Sequence, residues 1–219
     1  MPLITSPAAV LWDLDGTLID SEHYWMNSER NLALEHGFDW QTQDGLDLVG
    51  QALSVSGLSM KEKFGSSLEV PEIIDRLTND VMQQLSNLIP WRPGALELLL
   101  ELKSAGIKTA LVTMSMSKMA QSLADSIGFH AFDVIVAGDQ VTNGKPHPEP
   151  YLRAAELLDV DPTHCVAFED SLTGLTSAES AGTKAVGIPN VVSIPDAPGR
   201  IIWKTLQGVT LADLTALFS

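Results

Sequence analysis

Cysteine is nearly absent: Cys165 is the only one in 219 residues. A single cysteine cannot form an internal disulfide, and such a chain suits a reducing compartment. Long apolar runs are missing too, since none reaches the ~18–20 residues of a membrane-spanning helix. No basic stretch precedes the apolar residues of Met1–Ala9. That segment therefore does not read as a secretory signal, and a cytoplasmic location is expected. Positive charge is scarce, with 13 Lys and Arg against 28 Asp and Glu and a formal charge of −15. This balance argues against nucleic acid and anionic membrane as partners, because both are polyanions. The histidines are scattered and no two stand at a convincing metal-ligand spacing. Internal repeats and low-complexity tracts are also lacking.

What remains is an ordinary globular composition, 45% apolar and 19% charged, sufficient for a sizeable core. Short apolar runs at Ala9–Trp12, Ile107–Val112, Val134–Val136, Cys165–Phe168 and Ala185–Ile188 predict buried strands. Helical patterns at Ala95–Leu102, Ser117–Ile127, Tyr151–Leu158 and Thr173–Ala181 separate the later strands. This alternation predicts an α/β fold, a Rossmann-like doubly wound parallel sheet covered on both faces. The first two strands stand about 70 residues further apart than one βαβ unit needs. The excess predicts an inserted helical cap domain at 20–89, leaving 1–19 and 90–219 as the α/β core. Helices are expected in the cap at Glu22–Glu35 and Ile73–Leu88, with Gly/Ser-rich breaks around Ser54–Ser59 and Gly65–Ser67. The stretch Pro195–Ser219 is expected to add a last short strand and helix.

Open parallel sheets bind ligands at the carboxyl ends of their strands. Here those ends carry Asp13-Leu14-Asp15-Gly16-Thr17, Thr113-Met114-Ser115, Gly144-Lys145-Pro146 and Glu169-Asp170-Ser171. Four carboxylates cannot share a small volume unless a cation neutralises them or some stay protonated. Oxygen ligands without a His or Cys cluster favour Mg²⁺ over zinc. Mg²⁺ and Lys145 together would make such a crevice attractive to a phosphate ester. An Asp carboxylate serves as nucleophile in aspartyl-phosphate chemistry, and Asp13 is best placed for it, where the strand stops. Asp15 is positioned to protonate the leaving alcohol and then activate water. Thr113 and the following backbone N–H groups, Met114 first, are candidates to hold phosphoryl oxygens. Ser171 reads as an N-cap for the next helix.

In these motifs, their order and their spacing the chain resembles the haloacid dehalogenase superfamily. That family carries a DxDGT motif on its first strand, a Thr or Ser ending the second, a Lys, and then an acidic pair. The resemblance covers the whole chain, cap included. It is strongest to the branch holding beta-phosphoglucomutases and sugar-phosphate phosphatases, through Asp13 to Glu22 and Glu169 to Gly174. The resemblance implies Asp13 as nucleophile and Mg²⁺ ligand, and Asp15 as acid/base with its backbone carbonyl on the metal. It further implies Asp170 as a ligand, Glu169 as a supporting one, and Thr113 and Lys145 on the phosphoryl group. The expected substrate is a small phosphorylated metabolite, a sugar phosphate by family habit, and the expected state is a monomer.

Two departures separate alternatives. Mutases of this branch place a His where this chain has Trp25, and an Arg in the cap loop where it reads Gly50-Gln51-Ala52-Leu53-Ser54. A mutase must grip both phosphates of its intermediate, so a phosphatase is expected, with a phosphomutase as the alternative. Trp25 and Gly50 are candidate substrate-pocket residues; Trp25 equally suits the packing of the cap. A phospho-accepting signalling receiver also uses Asp, Thr and Lys, but lacks the second Asp and an insertion of ~70 residues. Cys165, within a buried strand, is expected to be inert.

Overall fold

The computed structural model describes residues 6–64 and 68–219. Six strands form one parallel sheet: β1 (Ala9–Trp12), β2 (Lys108–Val112), β3 (Val134–Val136), β4 (Cys165–Glu169), β5 (Lys184–Gly187) and β6 (Ile201–Ile202). Their spatial order is β3-β2-β1-β4-β5-β6. Every residue of β1 and β4 is buried, as strands covered on both faces must be. Between β1 and β2 come α1 (Glu22–Glu35), α2 (Thr42–Leu46), α3 (Leu53–Phe64) and α4 (Val70–Asn87). Then follow α5 (Ala95–Ser104), α6 (Ser117–Ser126), α7 (Glu149–Leu157), α8 (Leu172–Ser180) and α9 (Leu211–Ala216).

The two faces are built by the period-2 alternation of the strands. Ala9 and Leu11 of β1 pack with Tyr151 and Ala154 of α7 and Leu175 and Ala178 of α8. Val10 and Trp12 pack with Leu98, Leu99 and Leu102 of α5 and Met119 and Leu123 of α6. The sheet is therefore doubly wound, and β1 is flanked by β2 and β4. The connections leave β1 in opposite directions along the sheet, which opens a crevice at its carboxyl end.

Within the insertion, α4 buries Ile73, Leu77, Val81 and Leu85, every fourth residue. It begins at Val70, ahead of the expected Ile73. Glu69 and Glu72 form a reciprocal capping box, and Pro71 fits the first turn, where its missing N–H costs nothing. The expected break at Ser54–Ser59 is instead the middle of α3. Its small residues serve packing: a Cβ on Gly57 would stand 3.0 Å from Val70 Cγ1 and 3.4 Å from Ile74 Cγ1. Met60 and Phe64, one and two turns on, complete the buried stripe. The other expected break, Gly65–Ser67, lies outside the described residues. The two connections to the core run side by side. Asp20 N–H donates to Pro90 O at 2.8 Å and Arg92 N–H to Leu18 O at 3.0 Å. Among the described residues no helix is long and apolar enough to cross a membrane.

Candidate active site

The carboxyl ends of β1, β2 and β4 and the loop before α7 meet the insertion at one cleft. Asp13, Asp15, Trp25, Gly50, Thr113, Met114, Lys145, Glu169 and Asp170 all line it. Lys145 stands 132 residues after Asp13 in the chain.

Asp13 follows β1, anchored by its N–H to Phe168 O at 3.1 Å. Lys145 Nζ donates to Asp13 Oδ1 at 2.7 Å and to Val112 O at 2.9 Å, and stands 2.6 Å from Glu169 Oε1. Tyr151 donates its hydroxyl to the same Glu169 oxygen at 2.5 Å. Burial by itself would depress the Lys145 pKa, but Asp13 and Glu169 together hold it above the ordinary lysine value. The ammonium therefore stays charged, as a buried cation with two carboxylate partners must.

Asp13, Glu169 and Asp170 each bring a carboxylate oxygen within 4.8 Å of the others. Asp13 Oδ2 and Asp170 Oδ2 are buried without a protein partner. Burial raises the pKa of all three; Asp13 adds to the rise at Glu169 and Asp170, and Asp15 to that at Asp13. Lys145 offsets this without cancelling it. One lysine for three close carboxylates leaves a deficit of positive charge, and two orphaned oxygens mark where a hard cation would bind. The all-oxygen donor set fits Mg²⁺. The Asp15 side chain stands apart from this cluster.

Glycines make the crowding possible. Gly16 has φ +85°, and a Cβ there would lie 2.0 Å from Asp170 Oδ2, so only glycine fits the turn after β1. Ser171 caps α8, its Oγ accepting Gly174 N–H at 3.1 Å, as its sequence position implied.

Asp15 is held by four donors. Ser21 Oγ and Trp25 Nε1 reach Oδ1 at 2.6 and 2.7 Å. Ser115 Oγ and Thr113 Oγ1 approach Oδ2 at 2.6 and 3.5 Å. Two donors come from the start of the insertion and two from the loop after β2, so this carboxylate ties the insertion to the sheet. Trp25 is buried in the apolar cluster that joins the insertion to the sheet, and it also lines the cleft. Met114 is buried, and its Sδ accepts Lys145 N–H at 3.3 Å. Gly50 (φ +73°) presses on Ser171, whose Oγ would lie 2.4 Å from a Cβ there.

The remaining cleft carboxylates are Glu22 and Glu29, on the wall formed by α1. Burial, and for Glu22 also Asp15 and Asp13, pushes both pKa values up to about 8. Among the described residues Lys145 is the sole basic side chain lining the cleft. Sequence reading gave no role to Tyr151 or Glu29, and it named Ser21 and Ser115 only as members of longer motifs. Isolated polar residues give no signal when their partners lie far along the chain; Ser115 and Asp15 are 100 residues apart. The buried pattern of α1, which includes Glu29 beside Leu32 and Ala33, was the one available hint. Cys165 is fully buried, and burial pushes its thiol up to about 12, so it is inert as expected.

A family profile described as haloacid dehalogenase-like hydrolase matches residues 7–182. A phosphorylated carbohydrates phosphatase of Thermotoga maritima is 35% identical over 186 residues, covering 81% of this chain and 83% of its own. A bifunctional riboflavin kinase/FMN phosphatase of Arabidopsis thaliana is 31% identical over 84% of this chain, which spans about half, 49%, of that longer protein. A crystal structure of CbbY from Rhodobacter sphaeroides in complex with xylulose-(1,5)bisphosphate superposes with a TM-score of 0.83 at 26% identity. The superposition covers 95% of this chain and 99% of CbbY.

Proposed function

Because the chain belongs to the haloacid dehalogenase-like hydrolases and is a phosphatase, we propose the following reaction for it. It hydrolyses a small phosphate monoester of the sugar-phosphate type through an aspartyl-phosphate on Asp13, with Asp15 as general acid and then base. The observation that carries this reading is the pairing of two carboxylates in unlike surroundings. Asp13 is buried on Lys145 with one oxygen lacking a protein partner. Asp15 is held beside it by Ser21, Trp25 and Ser115.

An Asp13 carboxylate oxygen attacks phosphorus and the ester P–O bond breaks, while Asp15 gives its proton to the departing alcohol. Water then attacks the phosphorus of the acyl phosphate. Asp15 takes the water proton, the Asp13–phosphorus link breaks, and inorganic phosphate leaves. Lys145, Thr113 and the Met114 backbone N–H hold the phosphoryl oxygens through both steps. Asp13, Glu169 and Asp170 would hold Mg²⁺, with the Asp15 carbonyl as the family pattern implies. When bound, the ion offsets the charge of the carboxylates and of the phosphoryl group. Helices α1–α4 form the cap that closes over the cleft and excludes bulk water.

A phosphomutase must also grip a second phosphate. The single basic side chain in the cleft is engaged by Asp13 and Glu169, which favours the phosphatase. Purified protein should release phosphate from p-nitrophenyl phosphate with Mg²⁺ and lose that activity in EDTA. Asp13→Asn should fall to background, and Asp15→Asn should lose about 10²–10⁴-fold in turnover. An active Asp13→Asn enzyme would remove the nucleophile assignment.

A further inference from the structure

The chemistry above leaves Glu29 unused, yet it stands in the same cleft. It lies on α1, 5% exposed, and its Oε2 is buried with no hydrogen-bond partner. The Trp40 indole N–H is its nearest protein donor and lowers its pKa as a hydrogen bond does, although the pair falls short of ordinary hydrogen-bond geometry. Across from Glu29 is Gly45, which also lines the cleft. A Cβ on Gly45 would sit 3.2 Å from Glu29 Oε2, so a side chain there would crowd that oxygen. A buried carboxyl with one oxygen lacking a well-formed hydrogen bond requires an explanation, and on a residue that lines the cleft it points to a group that the substrate brings.

The character of that group follows from the surroundings. Met26, Leu48, Val49 and Leu53 make the neighbouring wall apolar. Glu22 adds a second buried carboxyl. Lys145 is already engaged by two carboxylates. Among the described residues lining the cleft no cation is free to meet an anionic group on this side, and the apolar wall would desolvate it. With its pKa near 8, Glu29 is largely neutral at pH 7, and a neutral carboxyl both donates and accepts hydrogen bonds. That matches a hydroxyl.

We propose that Glu29 is the specificity-determining residue on the leaving-group side. It takes a hydroxyl of an uncharged, polyhydroxylated alcohol, so the cleft accepts sugar or polyol monophosphates and rejects bisphosphates. This inference rests on the phosphatase reading and goes beyond it by naming the side chain that selects the alcohol. It also sets this chain apart from CbbY, whose structure holds xylulose-(1,5)bisphosphate.

The test compares kcat/KM for sorbitol 6-phosphate, glucose 6-phosphate, p-nitrophenyl phosphate and fructose 1,6-bisphosphate. The better of the two monophosphates should exceed the bisphosphate at least tenfold. In Glu29→Leu the ratio of that monophosphate to p-nitrophenyl phosphate should drop at least tenfold, because the aryl ester offers no hydroxyl. Glu29→Gln, which keeps a donor and an acceptor, should hold the ratio within about threefold. Gly45→Ala, whose methyl crowds Oε2, should lower the ratio too, and it serves if Glu29→Leu does not fold. An unmoved ratio in whichever of Glu29→Leu and Gly45→Ala folds, or a preference for the bisphosphate, overturns the inference while leaving the phosphatase intact. Failure of the parent protein to release phosphate from any of these esters overturns the phosphatase reading, and this inference with it.

Discussion

In the folded chain burial holds the Glu29 carboxyl proton up to a pH of about 8, against an ordinary value of 4.5. The unfolded chain releases that proton near pH 4.5, so between these values the folded state binds more protons. Stability therefore declines as pH rises from 4.5 to 8 and does not recover above it. Glu29→Gln removes the titrating group and with it this loss. The variant should melt above the parent at pH 8.5 by about 4 °C or more, with the gap shrinking toward pH 5. Thermal melts at the two pH values check this, and a gap of equal size at both would contradict the buried, unpartnered carboxyl. Legibility also varied at the residue scale. Asp13, Asp15, Lys145, Glu169 and Asp170 were readable because they sit in short motifs at strand ends. Ser21, Ser115 and Glu29 were not, because what they touch depends on where the cap lies against the core.

At the scale of elements, the strands were the easiest to read. Ala9–Trp12 and Val134–Val136 appear with the expected bounds, since a short apolar run flanked by turn residues suits a strand; β1 is buried throughout, whereas β3, at the sheet edge, is only partly buried. The first cap helix, Glu22–Glu35, is also as expected. Helix α3 was not legible. Its serines and Gly57 imply a loop by propensity, and only the facing surface of α4 turns Gly57 into a contact. Adding bulk there should separate the two helices. Gly57→Leu should cost about 1–3 kcal/mol by overpacking against Val70 and Ile74. Ser54→Ala, exposed on the same helix, should stay near the parent or gain slightly. Denaturant unfolding of both variants decides it, and a fully stable Gly57→Leu would mean that the α3–α4 contact carries little of the fold.

For the molecule as a whole, the formal charge of −15 acquires a local meaning. Part of the excess is concentrated at the carboxyl ends of β1 and β4, where Asp13, Glu169 and Asp170 converge. A cation that binds only the folded state stabilises it by mass action, about 2.7 kcal/mol at a hundred times its Kd. After EDTA treatment, millimolar Mg²⁺ should raise the melting temperature by several degrees beyond NaCl of equal ionic strength. Asp170→Asn, which removes one of the two orphaned carboxylates, should blunt the response. Equal melting in Mg²⁺ and NaCl would argue that the cluster holds no divalent ion.

The sequence by itself determined the fold class, the strand ends that carry the chemistry, and the insertion of a helical segment after β1. Those features are local: apolar runs, turn residues and short motifs are read within a few positions of one another. Tertiary structure alone decided which side chains meet across the cleft. Asp15 is held jointly by the insertion and the β2 loop, Lys145 is shared between Asp13 and Glu169, and Glu29 Oε2 is left without a well-formed hydrogen bond. Burial and mutual approach set their protonation and their partners. Both arise only when segments far apart in the chain pack against each other.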